Sequence, residues 1–249
     1  MNFLITGASS GLGKELFNSL SKNSSYNFFL LSKNIDELKK IKKINKQVRI
    51  YHLDLNEIEK TKTIANQILE DSQNKIDVII CNAAEGAFGT IDDIPTDKFL
   101  SNFNVNFFSH LILIKSIYPT MKLRNFGHIN NIASGTGIFG FQDTSSYSIS
   151  KSCMQILIES MHMENINNNI HAKNIFPGLI NTNFENKNKY YSKKEKNSPF
   201  KKKETNLIAN KIVKNIFSKK LNIFCQLNPM VAFIIKLFPI LEKLRKIIF

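Results

Sequence analysis

TGASSGLG occupies residues 6–13, five residues into a chain of 249. Glycine is costly in regular structure, so three within eight positions indicate a backbone that must approach something closely. The run before it, Asn2-Phe3-Leu4-Ile5, is short and apolar, suited to a buried strand. In the run after it, 14–20, Leu16, Phe17 and Leu20 fall at helical spacing. Strand, glycine turn and helix form the context in which such glycines bind a dinucleotide.

The alternation continues outward from this stretch. Apolar runs at 3–6, 28–32, 48–53, 78–81, 128–132, 171–176 and 221–225 read as strands. Helical stretches lie near 12–22, 34–43, 56–72, 96–124, 145–165 and 204–218. Strands of Ile, Val, Leu and Phe with little polar alternation suit a sheet buried on both faces. The pattern predicts an α/β fold, a doubly wound parallel sheet with helices on both faces. No linker or repeat divides the chain, so residues 1–249 are expected to form one domain. Two stretches break the rhythm. Residues 183–204, NFENKNKYYSKKEKNSPFKKKE, are polar and long, as lids or disordered segments are. Residues 230–249, MVAFIIKLFPILEKLRKIIF, are apolar with basic punctuation and a break at Pro239.

Composition narrows the class further. Hydrophobic residues at 43% and charged residues at 22% are ordinary for a soluble globular protein. The chain enters its first strand within a few residues of Met1, which argues against a signal peptide. No apolar stretch reaches the length a bilayer span requires. Cys81, Cys153 and Cys225 are far apart and odd in number, indicating neither a disulfide framework nor a metal site and fitting a cytoplasmic protein. The net charge of +14 points toward nucleic acid only superficially. Nearly all the basic residues are Lys, Arg is scarce, and no nucleic-acid-binding motif is present.

A second motif, SSYSISK, ends on Tyr147 and Lys151, four apart. On a helix both side chains share a face, and a nearby ammonium favours phenolate and lowers the tyrosine pKa. Such a tyrosine exchanges a proton with a carbonyl or hydroxyl oxygen. Two further pairs have the same spacing, Tyr118/Lys122 and Tyr190/Lys194. Only Tyr147 has a hydroxyl, Ser134, thirteen residues upstream at the end of an expected strand; the equivalent residues before the others are Val105 and Pro177. Pro119 also disfavours a helical Tyr118.

TGASSGLG, Asn82-Ala83-Ala84, Asn106, Ser134, Tyr147-x-x-x-Lys151 and Pro177-Gly178 together resemble the classical short-chain dehydrogenase/reductase (SDR) family, in that order, over residues 2 to 225. The resemblance implies a Rossmann-like fold and hydride transfer between a nicotinamide and a carbonyl or secondary alcohol. It makes Tyr147 the acid/base, Lys151 the group that tunes it and holds the nicotinamide ribose, and Ser134 the donor to the substrate oxygen. Asn106 would hold a water that passes protons to Lys151, with Asn104 as the competing candidate. The turn of Gly7, Ser9, Ser10, Gly11, Leu12 and Gly13 would carry the pyrophosphate. Asp54 and Leu55 would meet the adenine, and Asn82, Ala83 and Ala84 the adenosine side, although the family more often has Gly at the position of Ala84. Pro177, Gly178, Ile180 and Thr182 would hold the nicotinamide carboxamide. The TGxxxGxG spacing sets the chain apart from the extended, nucleotide-sugar branch.

The second expected strand ends FFLLSKN, with no acid before Asp36 to bind a ribose 2′-hydroxyl. Lys33 there suits a 2′-phosphate, so NADP(H) is the expected cofactor and NAD(H) the alternative. The substrate pocket is expected from the 135–144 loop, with Gly137, Phe139, Gly140 and Phe141 as an apolar wall, and from residues 183–206. A hydrophobic ketone or 3-oxoacyl compound suits such a wall. The eight lysines in 187–203 either attract an acidic carrier, such as acyl carrier protein or a coenzyme A thioester, or form a solvated flap. Within the extension 229–249, Lys236, Lys243, Arg245 and Lys246 suit peripheral membrane contact, packing on the core, or a partner subunit's pocket. A homodimer or homotetramer is expected through helices 107–124 and 145–165, with Ile112, Leu113, Ile117, Met154, Leu157 and Met161 as candidate contacts. The rival reading is a non-catalytic NADP(H)-binding sensor or membrane-associated scaffold.

Overall fold

The computed structural model describes residues 1–182, 184, 188–192 and 202–226. Its centre is a seven-stranded parallel sheet: β1 (Asn2–Thr6), β2 (Asn27–Ser32), β3 (Val48–His52), β4 (Val78–Cys81), β5 (Gly127–Ile132), β6 (Ile170–Phe176) and β7 (Asn222–Phe224). The spatial order is 3-2-1-4-5-6-7. The order reverses between β1 and β4, and open α/β sheets bind ligands at the carboxyl ends of the strands beside such a switch.

Alternate residues of β1 explain the layering. Phe3 and Ile5 enter one core with Leu16, Phe17 and Leu20 of α1 (Gly11–Leu20) and Ile208 and Ile212 of α7 (Thr205–Asn215). Leu4, facing the other way, joins Ala65 and Ile68 of α3 (Ile58–Asp71), Leu113 and Ile117 of α5 (Ser109–Arg124), and Met154 and Ile158 of α6 (Ser145–Glu164). Helices α2 (Ile35–Ile44) and α4 (Thr96–Phe103) complete this part of the fold. A strand buried on both faces cannot alternate polar and apolar residues, which is why these runs read as continuous apolar segments.

Three features differ from expectation. The stretch 96–124 is not one helix: a π-helical turn at Asn104–Phe108 separates α4 from α5. Pro119 lies inside α5, so Tyr118 is helical, with the Lys122 ammonium 5.8 Å from its ring centre. Its phenol is occupied by Asn165, 3.0 Å away, and it is company rather than local conformation that distinguishes Tyr147. Leu113, Ile117, Met154 and Met161 fill the chain's own core, while Ile149, Ile156 and Met163 are the apolar residues that α6 exposes.

Two small parallel pairings tie down the ends of the lysine-rich stretch. Ile180–Asn181 pairs with Lys203–Glu204, and Ala87–Phe88 pairs with Lys189–Tyr190. The apolar and basic stretch 229–249, with Lys236, Lys243, Arg245 and Lys246, lies outside the described residues, as do 193–201. Among the described residues, no helix is long and apolar enough to cross a membrane.

Candidate active site

At the carboxyl ends of the strands lies a cleft of about 1280 Å³. That exceeds the roughly 300–1,000 Å³ of ordinary small-molecule sites, leaving room for a dinucleotide beside a substrate. Every cofactor or catalytic residue expected from the sequence lines it except Gly13 and Asn106, which stand one layer behind.

The glycine turn forms one end. Gly7 and Gly11 have φ of +67° and +52°, conformations that glycine adopts without strain. A Cβ at Gly13 would stand 2.3 Å from the Gly7 oxygen, so the missing side chain is what lets α1 close onto the turn. The turn thereby presents the N-terminus of α1 to the cleft, and a helix N-terminus fits a pyrophosphate. Thr182 lies across from it, 3.6 Å from the Cβ position of Gly11. Thr6 and Asn82 lock the turn to the end of β4. The Thr6 hydroxyl accepts from the backbone N–H groups of Asn82 and Ala83 at 2.9 and 3.0 Å, and the Asn82 side-chain amide donates to the Thr6 carbonyl at 2.9 Å. His110, 2.9 Å from the Thr6 hydroxyl, is fully buried, and burial with the neighbouring Lys151 charge pushes its pKa down to about 3. It is neutral at working pH. Thr6 opens the TGxxxGxG motif, but its bonds to Asn82 and His110 were not legible in the sequence, because those partners are 76 and 104 residues away.

On the adenosine side the Ser32 hydroxyl donates to Ser9 at 2.7 Å, and Lys33 is exposed on the rim. One carboxylate oxygen of Asp54 accepts from the Asn56 amide at 3.0 Å, which holds the loop after β3 in place.

Ser134, Tyr147 and Lys151 converge at the other end. Ser134 stands two residues after β5, at the start of the loop to α6, with its hydroxyl 2.9 Å from that of Thr136. Tyr147 and Lys151 share a face of α6, and the ammonium lies 5.9 Å from the phenol ring centre. Gln155, one turn further, donates at 2.8 Å to the Ser134 carbonyl and fixes that loop. Lys151 is buried and donates to the Ile132 carbonyl at 2.9 Å. Burial lowers its pKa to about 8, with Cys81 opposing slightly. The Tyr147 phenol moves the other way: burial raises its pKa to about 12, partly offset by a hydrogen bond with Ser134. This differs from the expectation of a depressed tyrosine, since desolvation outweighs the Ser134 hydrogen bond and leaves a phenol protonated at neutral pH.

Asn106 sits in the π-helical turn. Its amide accepts from the Glu85 N–H at 2.9 Å and donates to the Glu85 carbonyl at 2.8 Å and the Ser150 hydroxyl at 2.9 Å. The extra residue in that turn lets the side chain reach both the loop after β4 and α6. Asn104 is the first residue of the same turn.

The apolar wall is not the one expected. Gly137, Phe139, Gly140 and Phe141 do not line the cleft; Phe88, Ile138, Leu179, Phe184, Tyr190 and Phe224 do. Phe88 and Phe184 flank Tyr147 at 5.5 and 5.7 Å between ring centres, and Phe88 stacks on Tyr190 at 5.2 Å.

Residues 2–192 match the family model described as short chain dehydrogenase. The chain belongs to that family. It is 30% identical over 187 residues to a dehydrogenase/reductase SDR family protein 7-like of Drosophila melanogaster, covering 72% of this chain and 57% of that protein. It is 30% identical over 186 residues to a 3-ketodihydrosphingosine reductase of Bacteroides thetaiotaomicron, covering 74% of this chain and 66% of that one. The chain thus spans less than two-thirds of the length of both relatives. Among solved structures, a short-chain dehydrogenase from Sphingobium yanoikuyae in complex with NADPH superposes with a TM-score of 0.81 at 17% identity, covering 98% of this chain and 95% of that one.

Proposed function

We propose that this short-chain dehydrogenase is an NADP(H)-dependent oxidoreductase acting on a hydrophobic ketone, or the corresponding secondary alcohol, of 3-oxoacyl or similar long-chain type. The observation that carries the reading is the convergence of Ser134, Tyr147 and Lys151 in the cleft that the glycine turn opens. When bound there, the nicotinamide supplies or accepts the hydride. Tyr147, protonated at neutral pH, delivers its proton to the substrate oxygen in reduction. The Ser134 hydroxyl donates to that oxygen and orients it. The Lys151 ammonium stabilises the phenolate that remains. Asn106 keeps the loop after β4 and α6 in register.

Phe88 and Phe184 beside Tyr147 support an apolar substrate, in keeping with the named activity of the Bacteroides relative. Lys33 on the rim, with Ser32 in place of an acid, supports NADP(H) over NAD(H). Exposed Ile149, Ile156 and Met163 on α6 support a homo-oligomer. A carrier-bound substrate at the lysine-rich segment, a single domain over 1–249, peripheral membrane contact by 229–249 and a cytoplasmic location belong to the same reading.

The test is NADPH and NADH consumption by purified protein over apolar ketones, 3-oxoacyl thioesters, aldehydes and keto-sugars. Turnover of the first two with NADPH preferred is expected; turnover confined to keto-sugars overturns the substrate class. Lys33→Ala should weaken NADPH more than NADH, and equal effects on both would remove Lys33 from the 2′-phosphate contact.

A further inference from the structure

The turn after β6, Pro177-Gly178-Leu179, lines the cleft, and Gly178 has a φ of +77°. Beside it stands Gln226, the last residue described, which also lines the cleft. Its side-chain nitrogen donates to the Pro177 carbonyl at 2.8 Å and to the Leu179 carbonyl at 2.8 Å. The two hydrogens of one amide are therefore spent on the two carbonyls that flank Gly178. The fit is close: a Cβ on Gly178 would stand 2.7 Å from the Gln226 amide carbon. Strand β7 delivers the residue in register. The Cys225 amide donates to the Phe176 carbonyl at 2.9 Å, and the Phe224 ring stacks on Phe176 at 4.6 Å.

We infer that Gln226 is a positioning residue for the nicotinamide end of the cofactor, which it serves by fixing the Pro177–Gly178 and Leu179–Ile180 peptide planes. A trans peptide is planar, with its N–H opposite its C=O. Anchoring the Pro177 and Leu179 carbonyls therefore turns the Gly178 and Ile180 N–H groups away from Gln226, and both of those residues line the cleft. A carboxamide oxygen is the chemistry such aimed amides recognise. The inference rests on the dinucleotide reading above.

The experiment compares calorimetric affinities for NADPH and for 2′-phospho-ADP-ribose, which lacks the nicotinamide, and likewise for NADH and ADP-ribose. Parent, Gln226→Met and Gln226→Lys are measured. Methionine has similar length and no donor; lysine keeps a donor. Gln226→Met is expected to weaken the nicotinamide-bearing ligands about tenfold, as loss of two hydrogen bonds implies. The ligands without nicotinamide should hold within about twofold, and Gln226→Lys should recover most of the loss. Equal weakening of both ligand types, or of neither, overturns the inference while leaving the cofactor reading intact. A parent that binds neither type overturns both. Should Gln226→Met fail to fold, Gln226→Asn, which is one methylene shorter, carries the same comparison.

Discussion

Gly13→Ala tests the packing that shapes the cofactor end of the cleft. An added Cβ would lie 2.3 Å from the Gly7 oxygen, 2.5 Å from the Asn82 amide nitrogen and 2.9 Å from the Gly7 carbonyl carbon. Asn82 can move only by giving up its bonds to the Thr6 and Gly7 carbonyls at 2.9 and 3.4 Å. Gly7 is backbone at φ +67°, so its displacement changes the turn itself. Overpacking of this kind costs about 1–3 kcal/mol, and one lost buried hydrogen bond adds about 1 kcal/mol. The sum, about 2–4 kcal/mol, corresponds to a fall in Tm of about 5–15 °C for a chain of this size. NADPH affinity should fall at least tenfold, because Gly7 and Gly11 no longer form the same cradle. Gly140→Ala is the control: nothing lies within 4 Å of its Cβ position. Its Tm should stay within about 2 °C of the parent. Thermal melts and NADPH fluorescence titrations on both variants decide the matter. If Gly13→Ala behaves like Gly140→Ala in both assays, the steric reasoning is wrong.

Two further outcomes follow from charged groups. The Lys151 ammonium, with its pKa lowered to about 8 by burial, is present below that pH and lost as pH rises through it, while Tyr147 stays protonated. For ketone reduction, kcat/KM should therefore be flat up to about pH 8 and then fall with a one-proton slope. Lys151→Arg should move that limb upward, and an unmoved limb would assign it elsewhere. Arg124 reaches Asp77 at 2.6 Å and the Ile76 carbonyl at 2.6 Å, and the Asp77 side chain is 4% exposed. Arg124→Ala leaves that carboxylate buried with the Asn2 N–H as its remaining partner and should cost about 2–4 kcal/mol by urea denaturation, with cofactor affinity unchanged; a loss under about 0.5 kcal/mol would place the pair among ordinary surface bridges.

Strands β1, β2 and β4 were readable because they carry apolar residues on both faces, a local property of the sequence, while the edge strand β3 exposes Arg49 and His52. The glycine turn and the Tyr147/Lys151 pair were readable for a similar reason: the residues that cooperate are neighbours along the chain. The rest of the site depends on distant partners. Asn106 bonds Glu85 and Ser150, 21 and 44 residues away, and the π-helical turn that permits this has no local marker. Phe88 and Tyr190 form the wall because two-residue strands from separate loops pair, which no periodicity announces. Pro119 misled in the opposite direction: proline penalties are averages, and α5 accommodates one near its end. The tyrosine pKa could not be read at all, since spacing gives the nearby cation but not the burial that raises it.

The most direct measurement is turnover and NADPH binding by Tyr147→Phe beside the parent, with an apolar ketone or 3-oxoacyl thioester that the parent reduces. Removing the hydroxyl should abolish detectable turnover while NADPH affinity stays within about threefold of the parent. Turnover at the parent rate would contradict the assignment of Tyr147 as the proton donor. A parent that binds NADPH tightly and reduces nothing would favour a dinucleotide-binding sensor over an enzyme.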